Sequence, residues 1–329
     1  MTCAYTPSQI DEYLDYISFP AQYRLVKSGT TPPPQTLEFL TLLGAYHLSA
    51  VPYENLTLHY SKSHAVSLDL QVIFKKIVTD KRGRGGYCME NCLFYLNILR
   101  GLGFNAYPTG ARIRLRVGVI PHGDYIGWMH IVNIVTFPDG AKYVVDVSFG
   151  GDGPTKPMPL IHGVSQQNIG TQEIRFVHDH IPQLMHRSSS ESLAFQRSTK
   201  LWIYQYRNSS AHEWNSYYCF SELEFLPQDF EVINCYASTS PDCFQTFTLL
   251  VVRFLRRDGD GEGTEKEEIH GKVMLVNGEV KRNTGGRTET VLSCTSEVER
   301  VEALRLYFGI ELTEEERMGI RDRVTELTG

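Results

Sequence analysis

The stretch Arg84-Gly85-Gly86-Tyr87-Cys88-Met89-Glu90-Asn91 constrains this chain more than any other. Two glycines precede an aromatic residue and a cysteine, and Leu93, Leu96, Ile98, Leu99 and Leu102 then follow at helical spacing. That order predicts a tight glycine turn feeding a helix, with Cys88 near the helix N-terminus. Glycine permits the backbone angles of such a turn. A helix N-terminus offers free N–H groups and partial positive charge, and both favour the thiolate, the nucleophilic form. The plainer alternative is that Cys88 is a small packed core residue.

A cysteine nucleophile needs a base, and the base needs a partner that orients it. His130 stands in Gly127-Trp128-Met129-His130-Ile131-Val132, and Asp146 in Tyr143-Val144-Val145-Asp146-Val147-Ser148-Phe149-Gly150. Both segments alternate like strands and are separated by the turn Pro138-Asp139-Gly140. Such a hairpin brings His130 and Asp146 to one face, within cross-strand reach. An aspartate in an apolar strand is costly unless paired, and an imidazole is a natural partner. Taken singly, His130 reads as a satisfied core histidine and Asp146 as a strand-end turn residue. Together with Cys88 they predict a nucleophile, base and orienting acid.

Around this centre the chain changes character twice. Up to about Phe104 it reads as helices. Ser8 begins an N-capped segment with acidic residues in its first turn, Pro32-Pro33-Pro34 breaks the helical pattern, and Gln35–Leu43 and Leu70–Ile77 resume it. Val51-Pro52-Tyr53-Glu54-Asn55-Leu56 is an extended entry, because the residue before a proline avoids the helical region. Arg84 and Glu90 are expected to pair and hold the helix start. From about Asn105 to Phe220 the period is two. Arg112, Arg114 and Arg116 share one strand face, read as a solvated face. Gly150-Gly151-Asp152-Gly153-Pro154 is a strand-end turn whose N–H groups would also suit a phosphate, and Ser188-Ser189-Ser190 an exposed loop. Beyond Ser221 strands and helices mix. Phe247–Phe254 and Gly271–Val276 read as strands, Asn277-Gly278 as a hairpin turn and Arg257–Gly263 as an acidic loop. Glu297–Phe308 is a helix, and Thr313 caps a last one.

Composition narrows the partners. The 329 residues carry a net charge of -6, which gives no reason to expect nucleic acid or an anionic membrane. Seven cysteines without paired CxxC spacing suggest neither a zinc site nor a disulfide frame. No signal peptide or long apolar segment is visible, so the expected setting is the reducing cytoplasm.

The blocks Val51–Leu56, Arg84–Glu90, the His130 strand, Val145–Gly150, Asp229-Phe230-Glu231-Val232-Ile233-Asn234 and Ser238-Thr239-Ser240-Pro241 resemble those of the arylamine N-acetyltransferases. The Met-Glu-Asn form of the cysteine block is most similar to the fungal branch. The likeness runs from about Val51 to Phe308-Gly309-Ile310. It implies an α+β fold with a cysteine-protease-like catalytic core. An N-terminal helical bundle (1–104) would carry the nucleophile, a central β-barrel-like domain (105–220) the histidine and aspartate, and a C-terminal α/β lid (221–329) would complete the chain. The implied reaction is a ping-pong transfer of an acetyl group from acetyl-CoA, through a Cys88 thioester, to an arylamine or arylhydrazine. Acyl-CoA is then a substrate, with no tightly bound cofactor and no metal.

Other positions carry over one at a time. Phe149 matches the aromatic residue that contacts the aryl acceptor. Gly127 and Tyr236 match positions near the coenzyme A pocket, and Asp242 stands where some relatives carry a hydroxyl there. Cys92 replaces the usual asparagine and shares a helix face with Cys88. Three alternatives stay open. One is an N-malonyltransferase using malonyl-CoA, whose free carboxylate would need a cation such as Arg112, Arg114 or Arg116. The second is a papain-like thiol hydrolase with the same residue order, and the third a non-catalytic binding protein.

Overall fold

The computed structural model describes residues 3–25, 33–118, 120–185, 199–257 and 268–329. The Ser188–Ser190 loop and the acidic stretch after Arg257 lie outside them, as does Pro32.

The first part of the chain is helical: α1 Pro7–Tyr16, α2 Leu37–Ala50, α3 Leu56–Tyr60, α4 Leu70–Phe74 and α5 Cys88–Gly101, with a short strand β1, Tyr53–Glu54, between α2 and α3. A π-helical turn, Lys75–Thr79, prolongs α4. The cap of α1 is Thr6 rather than Ser8. Its hydroxyl takes the Gln9 N–H and the Gln9 side chain returns to the Thr6 N–H, so the helix starts earlier and its first turn carries no acid. Helix α5 is buried almost all round; only Leu93, Arg100 and Gly101 escape full burial.

An all-antiparallel, barrel-like sheet follows, in the order β5-β4-β3-β2-β9-β8-β7-β6. Its strands are β2 Asn105–Val117, β3 Ile120–Thr136, β4 Lys142–Val145, β5 Met158–Pro159, β6 Ser165–Gln167, β7 Glu173–Asp179, β8 Leu201–Arg207 and β9 Asn215–Phe220. One apolar core joins the helices to this sheet, so α5 is packed between α1 and α4 on one side and β2 and β3 on the other.

The remaining chain forms α6 Pro227–Thr239, α7 Phe244–Phe247, β10 Leu250–Arg257, β11 Glu268–Val276, β12 Glu279–Asn283, β13 Thr288–Ser293, α8 Glu297–Phe308 and α9 Glu314–Met318. Phe247 therefore closes a helical turn, and the expected strand begins at Leu250. The second sheet runs β1-β10-β11-β12-β13 and holds a core of its own with α3 and α8. Its edge strand β1 comes from the helical part: Tyr53 pairs with Val252 and Glu54 with Val251. Among the described residues no helix is long and apolar enough to cross a membrane.

Candidate active site

Cys88 is the first residue of α5 and is buried. The glycines before it act by close approach rather than by left-handed backbone, since of this group only Gly83 has positive φ, at 67°. A Cβ on Gly85 would overlap the Pro52 carbonyl, and one on Gly86 would lie 2.6 Å from the Glu90 Cβ. The Glu54 N–H donates to the Gly86 carbonyl at 2.9 Å, so β1 and the turn run side by side. Asn91 Nδ2 donates to the Pro52 carbonyl at 3.1 Å and ties α5 to the same block.

The expected Arg84–Glu90 pair does not form. Arg84 is buried and donates to Glu54 at 2.9 Å and to Glu316 of α9 at 2.5 Å. Glu90 pairs with Lys76 at 2.5 Å, and its other oxygen accepts the Tyr87 N–H at 3.2 Å, capping the helix. Burial pushes the Glu54 carboxyl up, but the charges of Arg84 and Lys76 and the hydrogen bonds from Arg84 and Leu56 more than reverse this and hold it at about 2.

His130 lies on β3 and Asp146 just past the end of β4, where the β3–β4 ladder sets Asn133 opposite Val145. His130 Nε2 and Asp146 Oδ2 are 2.8 Å apart and both side chains are buried. The Ser148 N–H donates to Asp146 Oδ1 at 3.0 Å, which fixes the carboxylate. The ring of Phe149 meets His130 edge-on at 4.9 Å and Tyr218 lies at 5.5 Å, so the imidazole is clamped on two sides.

The Cys88 thiol faces the same strand. Its hydrogen bond goes to the Met129 carbonyl at 3.6 Å, and among the described residues it makes none to the His130 ring. Burial pushes this thiol up, the N–H of Met89 opposes the push, and the Asp146 carboxylate adds to it. Burial of this kind favours the neutral thiol over the thiolate. His130 is the residue next to the Met129 acceptor. Cys92 is fully buried one turn further along α5, facing Ser148, and burial raises its thiol far above the ordinary value.

The other expected positions are more open. Phe149 packs against His130, Tyr217 at 4.6 Å and Tyr218 at 4.8 Å. Gly127 is exposed, and a Cβ there would meet nothing within 4 Å. Tyr236, on α6, is 52% exposed. Asp242 is exposed in the turn after α6, where its N–H donates to Ser240 Oγ at 3.3 Å. Helix α6 reaches the nucleophile turn through Asn234, which accepts the Tyr87 hydroxyl. Arg112 and Arg114 do not present a solvated face: Arg112 lies 4.2 Å from the Trp128 ring centre and Arg114 5.8 Å from Tyr125. Arg116 is bound by Asp152 at 2.5 Å. The aromatic wall of Tyr204, Tyr217 and Tyr218 was missed in the sequence; period-two aromatics in β8 and β9 signal Tyr204 and Tyr218, but the register shift that brings in the adjacent Tyr217 leaves no such pattern.

The site is a buried imidazole held by a carboxylate, beside a cysteine that opens a helix. The N-acetyltransferase family model matches residues 36–317. The chain belongs to the arylamine N-acetyltransferase family. It is therefore an acyltransferase. It is 33% identical to the N-malonyltransferase FDB2 of Fusarium pseudograminearum, over 96% of this chain and 92% of that one. It is 31% identical to human arylamine N-acetyltransferase 1, over 62% of this chain and 67% of that one. The solved arylamine N-acetyltransferase of Mycobacterium marinum in complex with CoA superposes with a TM-score of 0.71 at 25% identity, covering 97% of this chain and 99% of that one. The fungal relatives agree with the branch suggested by the cysteine block.

Proposed function

We propose that the protein transfers an acyl group from an acyl-CoA to an arylamine or arylhydrazine by a ping-pong route through a Cys88 thioester. The observation that carries this reading is the His130–Asp146 contact of 2.8 Å beside the thiol at the start of α5. Cys88 Sγ turns from the Met129 carbonyl to His130 Nδ1, which carries no protein hydrogen bond among the described residues. The proton passes to the imidazole, and Asp146 stabilises the charge so formed. The thiolate attacks the thioester carbonyl, and coenzyme A leaves, taking the proton back from His130 as the free thiol. The neutral His130 then takes the proton of the attacking amine and returns it to Cys88 Sγ as the thioester bond breaks and the acyl group passes on. Phe149 faces the aryl acceptor, and Gly127, Tyr236 and Asp242 border the coenzyme A. Residues 1–104, 105–220 and 221–329 supply the nucleophile, its base and the lid. Seven free cysteines suit a reducing cytoplasm.

The donor has two readings. Acetyl-CoA follows from the family, and malonyl-CoA is favoured by the fungal relatives named as N-malonyltransferases. The test is to mix enzyme with each donor without an acceptor. One equivalent of coenzyme A per enzyme should be released, with the acyl group on Cys88 by peptide mass, and arylamine should then discharge it. No acylation by either donor, or acylation that survives Cys88→Ala, overturns the reading. Hydrolysis without transfer to amine would favour the thiol hydrolase instead.

A further inference from the structure

A cationic cluster built on a buried lysine lies beside the aromatic wall of the site. Lys272, on β11, has a side chain only 9% exposed. Its Nζ donates to the Gly151 carbonyl and stands 3.6 Å from Asp152 Oδ1. The other oxygen of Asp152 takes Arg116 at 2.5 Å. Arg116 also donates to the Tyr206 hydroxyl at 3.2 Å and lies 5.8 Å from the Tyr217 ring centre. Gly151 is two residues past Phe149, the ring that touches both His130 and Tyr217. Gly150, with φ at 81°, turns the chain so that this carbonyl meets Lys272.

Among the described residues two cations meet one carboxylate here, a formal excess of one positive charge. Keeping an ammonium this deep is costly, and burial pushes Lys272 down from its ordinary value while Asp152 pushes it back up. An ammonium also has three donors, and among the described residues the two named partners leave one N–H for something else. A purely structural cluster would gain nothing from the surplus. A bound carboxylate would cancel it, and an acyl group ending in a carboxylate would bring one to this end of the site.

We propose that Lys272, backed by Arg116, receives the free carboxylate of a malonyl group carried on Cys88 and so sets the enzyme's choice of donor. The assignment rests on the thioester reading above; Lys272 lies outside the strand set Arg112, Arg114 and Arg116, of which only Arg116 takes part. The strand arginines Arg112 and Arg114 are occupied by aromatic rings, which removes them from this role.

The experiment measures single-turnover acylation of Cys88 by malonyl-CoA and by acetyl-CoA in the full chain. In Lys272→Met the malonyl-to-acetyl ratio of rate constants should fall roughly tenfold to a hundredfold, the size of a lost charge-assisted hydrogen bond. Lys272→Arg should recover part of it, and Arg116→Met should lower it less. Asp152→Asn, which removes the competing carboxylate, should raise it; this variant and Arg116→Met decide the matter if Lys272→Met does not fold. Iodoacetate and iodoacetamide give a second readout, because the anionic reagent should lose its relative rate at Cys88 in Lys272→Met without any coenzyme A present. A ratio unchanged in Lys272→Met and Asp152→Asn overturns the assignment while leaving the thioester reading intact. A loss confined to carboxylated acceptors such as 4-aminobenzoate, compared with aniline, overturns it too. Absence of acylation by both donors in the wild type would instead remove the reading on which it rests.

Discussion

Replacing Glu54 by Gln removes the charge that holds the Arg84 guanidinium in the core while keeping the side chain's size. Glu54 is fully buried, accepts from Arg84 at 2.9 Å and from the Leu56 N–H at 2.7 Å. Its carboxyl sits at about 2 instead of the ordinary 4.5. A displacement of that size corresponds to about 3 kcal/mol of folding free energy, at roughly 1.4 kcal/mol for each tenfold. Breaking a buried pair by removing one partner costs about 3–5 kcal/mol, so the two routes agree. Glu316 remains on Arg84 in the variant and keeps the loss toward the lower figure. The folded-state pKa is depressed, so the contribution is complete above about 4.5 and is lost as pH falls toward about 2. Urea denaturation followed by tryptophan fluorescence at pH 7 should place Glu54→Gln about 3 kcal/mol below the wild type, and the gap should close in the acid range. A gap under about 1 kcal/mol, within the range of ordinary surface substitutions, or one that ignores pH, refutes the claim that this pair holds the turn before Cys88.

Two further outcomes follow from the same geometry. Gly85→Ala forces a methyl onto the Pro52 carbonyl, which is backbone and cannot swing aside. Its melting temperature should drop by roughly 5 °C or more, whereas Gly286→Ala, where a Cβ meets nothing, should melt like the wild type; equal melting of the two would show that the turn relaxes freely. Asp146→Asn keeps the shape that accepts the Ser148 N–H but frees the His130 tautomer. Its kcat/KM for acyl transfer should fall by roughly 10²–10⁴ with an unchanged far-UV circular dichroism spectrum, and an activity within a few-fold of the wild type would remove Asp146 from the chemistry.

Features encoded locally were readable in the sequence. The glycines, cysteine and following apolar run placed α5 and its first residue, and the period-two segments around Pro138-Asp139-Gly140 brought His130 within reach of Asp146. Partners distant in sequence were not. Arg84 and Glu90 are near neighbours along the chain, yet the first turn of α5 directs Glu90 to the Tyr87 N–H and Lys76, while Arg84 takes Glu54 and Glu316. Strand alternation showed that three arginines share a face but not that rings from β3 and β9 cover it. The helix N-terminus beside the cysteine was visible, whereas the packed sheet that buries it was not. Lys272 reads as one polar residue in a strand until the fold sets it against Gly151.

The reach of Glu316 to Arg84 spans 232 positions of the chain. Glu316 belongs to a short closing helix whose own cap, Thr313, locks it in place with a reciprocal pair of hydrogen bonds. The bend ahead of the nucleophile is thus finished by a segment synthesised 232 residues after it. A growing chain carries its reactive sulfur long before it owns the brace for it.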